Sequence, residues 1–196
     1  MRELQEKAKP YLLRHIAGEW PDLEPGGQAA IAAWATMVTM VIEFADPRTI
    51  GVNPAQRLCF KLTQSPPPNW FTWVGNYEGK MWGRVFNHFG IDGNVFRSAE
   101  NVPTSGALTP LFNAQSTAFV IGNLFVLTFS TARPAFELDP QAFASAWGLR
   151  LIWPTAGETI YPPDTVLSDI AADQVSRMFV PPAARGMARP AWVTTP

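Results

Sequence analysis

The two histidines, His15 and His88, are the first place to look for acid–base chemistry. His88 stands in Asn87-His88-Phe89-Gly90-Ile91-Asp92-Gly93-Asn94, directly after a run of strand character. An imidazole titrates near neutral pH, but it acts as a base only with a partner that orients it. Asp92 offers a carboxylate and Asn94 a further polar group, so His88, Asp92 and Asn94 form the candidate polar site. The same Asn, Asp and Gly residues equally suit a turn at a strand end. His15 falls near the end of an N-terminal helix, where an imidazolium would complement the helix dipole.

Other chemistries lack their parts. The single cysteine, Cys59, lies in Leu58-Cys59-Phe60 and reads as a small buried hydrophobe. With one cysteine and two histidines, neither an internal disulfide nor a four-ligand zinc site of the usual composition can form, and no metal or cofactor is expected. No nucleophile elbow, phosphate loop or dinucleotide fingerprint occurs. Glu43 is the oddest acid, since it ends a helix that is apolar on most sides. It must either join the thin polar strip of that helix or shift its pKa, and the strip is the expectation.

The elements that would position these residues follow from periodicity. Arg2–Ala17 is an amphipathic helix, with a kink or a break expected at Pro10. Gln28–Ala45 is the central helix, with Trp34, Val38, Val41 and Ile42 expected on its buried stripe and only Ala32, Thr36, Thr39 and Glu43 along a polar strip. Strand character marks Arg57–Leu62, the aromatic run Trp70–Asn76 with Met81–Asn87 returning beside it, and Gly148–Trp153. Ser116–Ile121, Gly122-Asn123 and Leu124–Ser130 form the strongest hairpin signal. A final helix over Asp164–Phe179 is expected to be capped by Asp164. The fold class is therefore α+β: a mainly antiparallel sheet of hairpins packed on a buried central helix, with N- and C-terminal helices. One domain is expected over 1–180, with a Pro-rich tail over 181–196.

Composition limits the partners. The net charge of −1 gives no field that would gather nucleic acid. Trp70, Phe71, Trp73, Trp82, Arg84 and Phe86 mix aromatics with a cation in a way that suits base stacking, yet no basic run accompanies them, so a sheet core is expected instead. The N-terminus lacks a leader's apolar segment, and the long apolar run over residues 29–45 is broken by Thr36, Thr39 and Glu43, so a cytoplasmic protein without a membrane span is expected. Only 16% of residues are charged, whereas eight are Trp and thirteen Phe. That balance leaves apolar surface for a protein partner or for self-association. Within the tail, Trp192 with Arg185 and Arg189 is the expected interaction surface, because Trp and Arg dominate binding hot spots.

Leu4-x-x-x-Ala8-Lys9-Pro10, the helix Gln28–Phe44, the segment Pro68-Asn69-Trp70 through Gly75, and Ile121-Gly122-Asn123-Leu124 resemble the region that follows the nuclease motif in bacterial and phage HNH-endonuclease-like proteins. The resemblance spans residues 1–130 and rests on helix pattern. The nuclease segment with its His base and metal ligands would lie upstream of Met1, so no catalytic residue carries over. The resemblance implies an accessory domain used alone: a bacterial or phage-borne, non-enzymatic interaction protein, in its narrowest form an inhibitor of a host defence complex such as an anti-CRISPR. The alternative is a hydrolase or nuclease-derived enzyme using His88 and Asp92.

Overall fold

The computed structural model describes residues 2–46, 49–82, 86–91, 112–132, 138–155 and 157–179. Helices α1 (Arg2–Ile16), α2 (Pro25–Ile42, extended by a 3-10 turn over Glu43–Ala45) and α3 (Pro54–Thr63) come first. Strands β1 (Trp70–Tyr77), β2 (Phe86–Ile91), β3 (Ala114–Ile121) and β4 (Leu124–Thr131) follow. Helix α4 (Pro140–Trp147), the short strands β5 (Arg150–Trp153) and β6 (Val166–Leu167), and helix α5 (Asp169–Ser176) complete the order. The fold is α+β, as the periodicity predicts.

The sheet runs β2-β3-β4-β1-β5, with β6 beside the far end of β1. Neighbours are antiparallel except for the β1–β6 pair. Strand β1 is apolar on both faces, so it needs cover on both and takes the interior of the sheet between β4 and β5. Its expected hairpin with Met81–Asn87 does not form: β2 starts at Phe86 and pairs with β3. Gly122-Asn123 does turn β3 into β4, with Gly122 at φ +56° as a two-residue primed turn requires. Trp70, Trp73 and Trp82 are buried, so these rings fill the core and present no stacking platform.

Helices cover both faces. On one, α4 and α5 pack Phe143, Ala144, Ala172 and Val175 onto Trp73, Phe125 and Leu127. On the other, α1 and α2 pack Ala8, Leu12, Ile31 and Ala35 onto Val74, Phe119, Leu124 and Val126. Pro10 lies inside α1, which runs as one helix instead of two.

Several local expectations are corrected. Arg57–Leu62 is helical, within α3, because Asn53 accepts the Gln56 backbone N–H while the Gln56 side chain accepts that of Asn53. This reciprocal cap with Pro54 at the first position launches a helix. Cys59 is thereby half-buried on a helix. The last helix starts at Asp169, capped by Ser168, while Val166 and Leu167 pair with β1. Helix α4, unmarked by periodicity, is capped by Asp139 onto the Gln141 and Ala142 N–H groups and closed by Gly148 at φ +65°. His15 is buried, donates Nδ1–H to the Tyr11 carbonyl at 2.8 Å and meets the Trp20 ring edge-on. Burial holds it below the ordinary value of 6.5, so it is neutral and complements no dipole.

A further correction concerns α2. Its polar strip faces inward: Thr36, Thr39 and Glu43 are fully buried. Of the stripe expected inside, Trp34, Val38 and Ile42 are half-buried, and Val41 is exposed. Small residues (Ala32, Ala35, Thr36, Thr39) lie on the buried side and let the helix axis approach the sheet. The segment Pro25–Ala45, with a mean hydropathy of 1.4, is long and apolar enough to cross a membrane, but most of it is buried against the rest of the chain.

Candidate functional site

The inward strip of α2 meets a polar row on the sheet. Strand register places Thr72, Thr128, Thr117 and His88 side by side across β1, β4, β3 and β2. Facing residues in adjacent strands project to the same side. Thr39 Oγ1 and Thr128 Oγ1 share a hydrogen bond of 2.8 Å, which pins α2 to this row. Next to it, Ser130 opposes Gln115. All of these threonines, Ser130 and Gln115 are buried.

Glu43 closes one end of the band. Its Oε1 accepts the Gly51 N–H at 2.9 Å and the Val52 N–H at 3.1 Å, and Oε2 accepts from Arg57 Nη2. The carboxylate is wholly buried, whereas the Arg57 side chain is 25% exposed. The Arg57 guanidinium also lies over the Phe44 ring at 4.8 Å. Glu43 thus joins the end of α2 to the loop before α3 and to α3 itself. Burial raises its carboxyl above the ordinary value of 4.5, opposed by the Gly51 N–H, the Arg57 charge and the Val52 N–H. Three donors suit the ionised form.

His88 lies beside this pair. Nε2 is 3.2 Å from the Thr49 carbonyl and 4.0 Å from Glu43 Oε1; Nδ1 is 2.7 Å from Thr117 Oγ1. Burial lowers the ring's pKa below 6.5, against the Thr49 carbonyl and the Asp46 charge. Thr117 Oγ1 has one proton and sits 2.6 Å from Gln115 Oε1. Donating it there obliges Nδ1 to donate too, which makes an imidazolium. A neutral His88 takes the Thr117 proton on Nδ1, and the Gln115 amide then turns its nitrogen to Thr117. In either state both ring nitrogens are engaged.

A cleft of about 340 Å³ opens above His88, lined by Ile42, Ala45, Asp46, Thr49, Phe86, Asn87 and Phe89. Phe86, in that lining, and Val41 and Phe44, elsewhere at the end of α2, are exposed apolar side chains. Val41 is 58% exposed, Phe44 63% and Phe86 47%. On α3, Leu58 and Leu62 are also exposed.

Of the sequence-predicted site residues, His88 is brought to this cleft, while Asp92 and Asn94 lie outside the described residues, as do Arg185, Arg189 and Trp192. The sequence reading singles out Glu43 but misses Arg57, hidden by its assignment to a strand. The capping sequence Asn53-Pro54-Ala55-Gln56 was the available signal, because it places Arg57 on the first turn of a helix. Among the described residues, no three metal-ligating side chains cluster. Comparison with family models, curated proteins and solved structures returns no match.

Proposed function

We propose that the chain is a non-enzymatic, cytoplasmic binding protein that receives a protein partner at the corner between α2 and β2. The observation that carries this is exposed apolar surface on these two elements: Phe86 lines a cleft whose walls include Ile42 and Ala45, and Val41 and Phe44, their sequence neighbours at the end of α2, are exposed. A monomeric surface spends few large apolar side chains on contiguous exposure, and a cleft of this size admits an anchoring side chain. Arg57, 4.8 Å over the Phe44 ring and paired with Glu43, adds a preorganised cation beside Phe44. The engagement of both His88 nitrogens favours binding over hydrolysis by His88 and Asp92. The likeness to the region beside HNH nucleases directs the search to bacterial complexes that act on nucleic acid, host defence complexes included.

The test compares proteins captured from a bacterial lysate by the unaltered chain and by Phe44→Glu, at low and high salt. The expected result is a band retained at both salt concentrations by the first and lost by the second, with equal melting temperatures. Identical captured sets overturn the proposal. Turnover of a hydrolase substrate panel that His88→Gln abolishes would establish the enzyme instead.

A further inference from the structure

The polar band between α2 and the sheet contains more hydrogen-bonding groups than it satisfies. Thr36 Oγ1, Thr72 Oγ1, Ser130 Oγ and Gln115 Nε2 are buried without a partner among the described residues. They fall at two places. Ser130 and Gln115 are direct cross-strand neighbours on the face toward α2. Thr72 stands beside Thr128, and Thr36 lies one helical turn before Thr39, so both flank the Thr39–Thr128 bond. Buried polar groups are almost always paired with protein or with ordered water, since a bare one costs a full desolvation penalty. An apolar void stays dry, whereas a site with several polar neighbours retains water. Threonine and serine hydroxyls both donate and accept, and so does water. Whichever atom of the Gln115 amide faces away from Thr117, water can satisfy it.

We infer that the seam between α2 and the sheet is a built hydration site that holds internal water at two positions, one bridging Gln115 and Ser130 and the other bridging Thr36 and Thr72. The inward polarity of α2 then has a physical basis: its hydroxyls face a hydrated polar row instead of dry hydrocarbon. The site is independent of the partner-binding corner, since none of the four residues lines the cleft.

A high-resolution crystal structure of the full chain tests this directly. Expected are solvent peaks within hydrogen-bond reach of the Gln115 amide and Ser130 Oγ, and of Thr36 and Thr72 Oγ1. In solution, water oxygen-17 relaxation dispersion should report slowly exchanging internal water, with a smaller amplitude in the paired variant Thr36→Val/Thr72→Val. A seam in which these four groups bond to protein atoms, or shows no solvent peak, overturns the inference. So does an unchanged dispersion amplitude in a folded paired variant.

Discussion

Removing the cation from the buried pair gives the sharpest test of how the α2 end is held. Arg57→Met keeps the stem of the side chain and deletes the charge, leaving Glu43 wholly buried with only the Gly51 and Val52 N–H groups. Stranding one member of a buried pair costs about 3–5 kcal/mol. Glu43→Gln is milder: its oxygen still accepts the two backbone N–H groups, and the partly exposed Arg57 can turn to solvent, so the loss is about 1.5–3 kcal/mol, that of a charge-assisted bond. Additivity would put the double variant at roughly 4.5–8 kcal/mol, the sum of the two. The structure requires the opposite, because Glu43→Gln in the Arg57→Met background removes an unpaired buried charge. There it should stabilise, and the double variant should be no worse than Arg57→Met alone. Urea unfolding at pH 7, followed by tryptophan fluorescence, gives each corner of the cycle. A pH series adds a sign. A carboxyl whose folded pKa is raised contributes stability below its ordinary value of 4.5 and loses it as the pH climbs through the folded value. The Arg57→Met deficit should therefore shrink in acid. Corners that add within about 0.5 kcal/mol refute the reasoning, as does an Arg57→Met cost below about 1 kcal/mol.

The two histidines act in the other direction. Burial depresses both, so their contribution is present above 6.5 and is lost as the pH falls through their folded values. Melting temperature should drop between pH 7.5 and 5.5, with a shallower slope in His15→Phe; a flat or rising profile contradicts their burial as neutral rings. Gly148 closes α4 at φ +65°, and a Cβ there would collide with Thr165 Oγ1. Gly148→Ala should cost more than about 1 kcal/mol in denaturant unfolding, and an unchanged midpoint would refute the left-handed closure. Phe44→Glu, at an exposed position, should stay within about 0.5 kcal/mol of the parent chain in the same assay.

What the sequence makes legible divides along a physical line. The β3–β4 hairpin and β1 are readable because turn chemistry and strand alternation are local, and α1 because its stripe of Leu4, Ala8 and Leu12 is continuous. Helix α3 is misread because Arg57–Leu62 is too short for periodicity to separate helix from strand. Its type is settled by the Asn53–Gln56 cap, a signal that lies outside the apolar run itself. Helix α4 follows the same rule through Asp139-Pro140 and Gly148.

The orientation of α2 is a different problem. Most of its circumference is apolar, so burial of hydrocarbon alone scarcely distinguishes one face from another, and the choice falls to the surface it meets. That surface is assembled from Thr72, Thr117, Thr128 and His88, which become neighbours only once four strands are in register. Turning Val41 and Phe44 inward would set bulky side chains over hydroxyls and lift the helix from the sheet. It would also carry Glu43 away from Gly51, Val52 and Arg57. Thr39 bonding to Thr128 and the small residues along the same face favour the inward polar strip. The consequence reaches the function proposed for the chain: the orientation that buries Glu43 and holds Arg57 against α2 also leaves Val41 and Phe44 in solvent. The buried polar band and the exposed Val41 and Phe44 are two faces of one choice, and a substitution that inverts the helix should abolish both together.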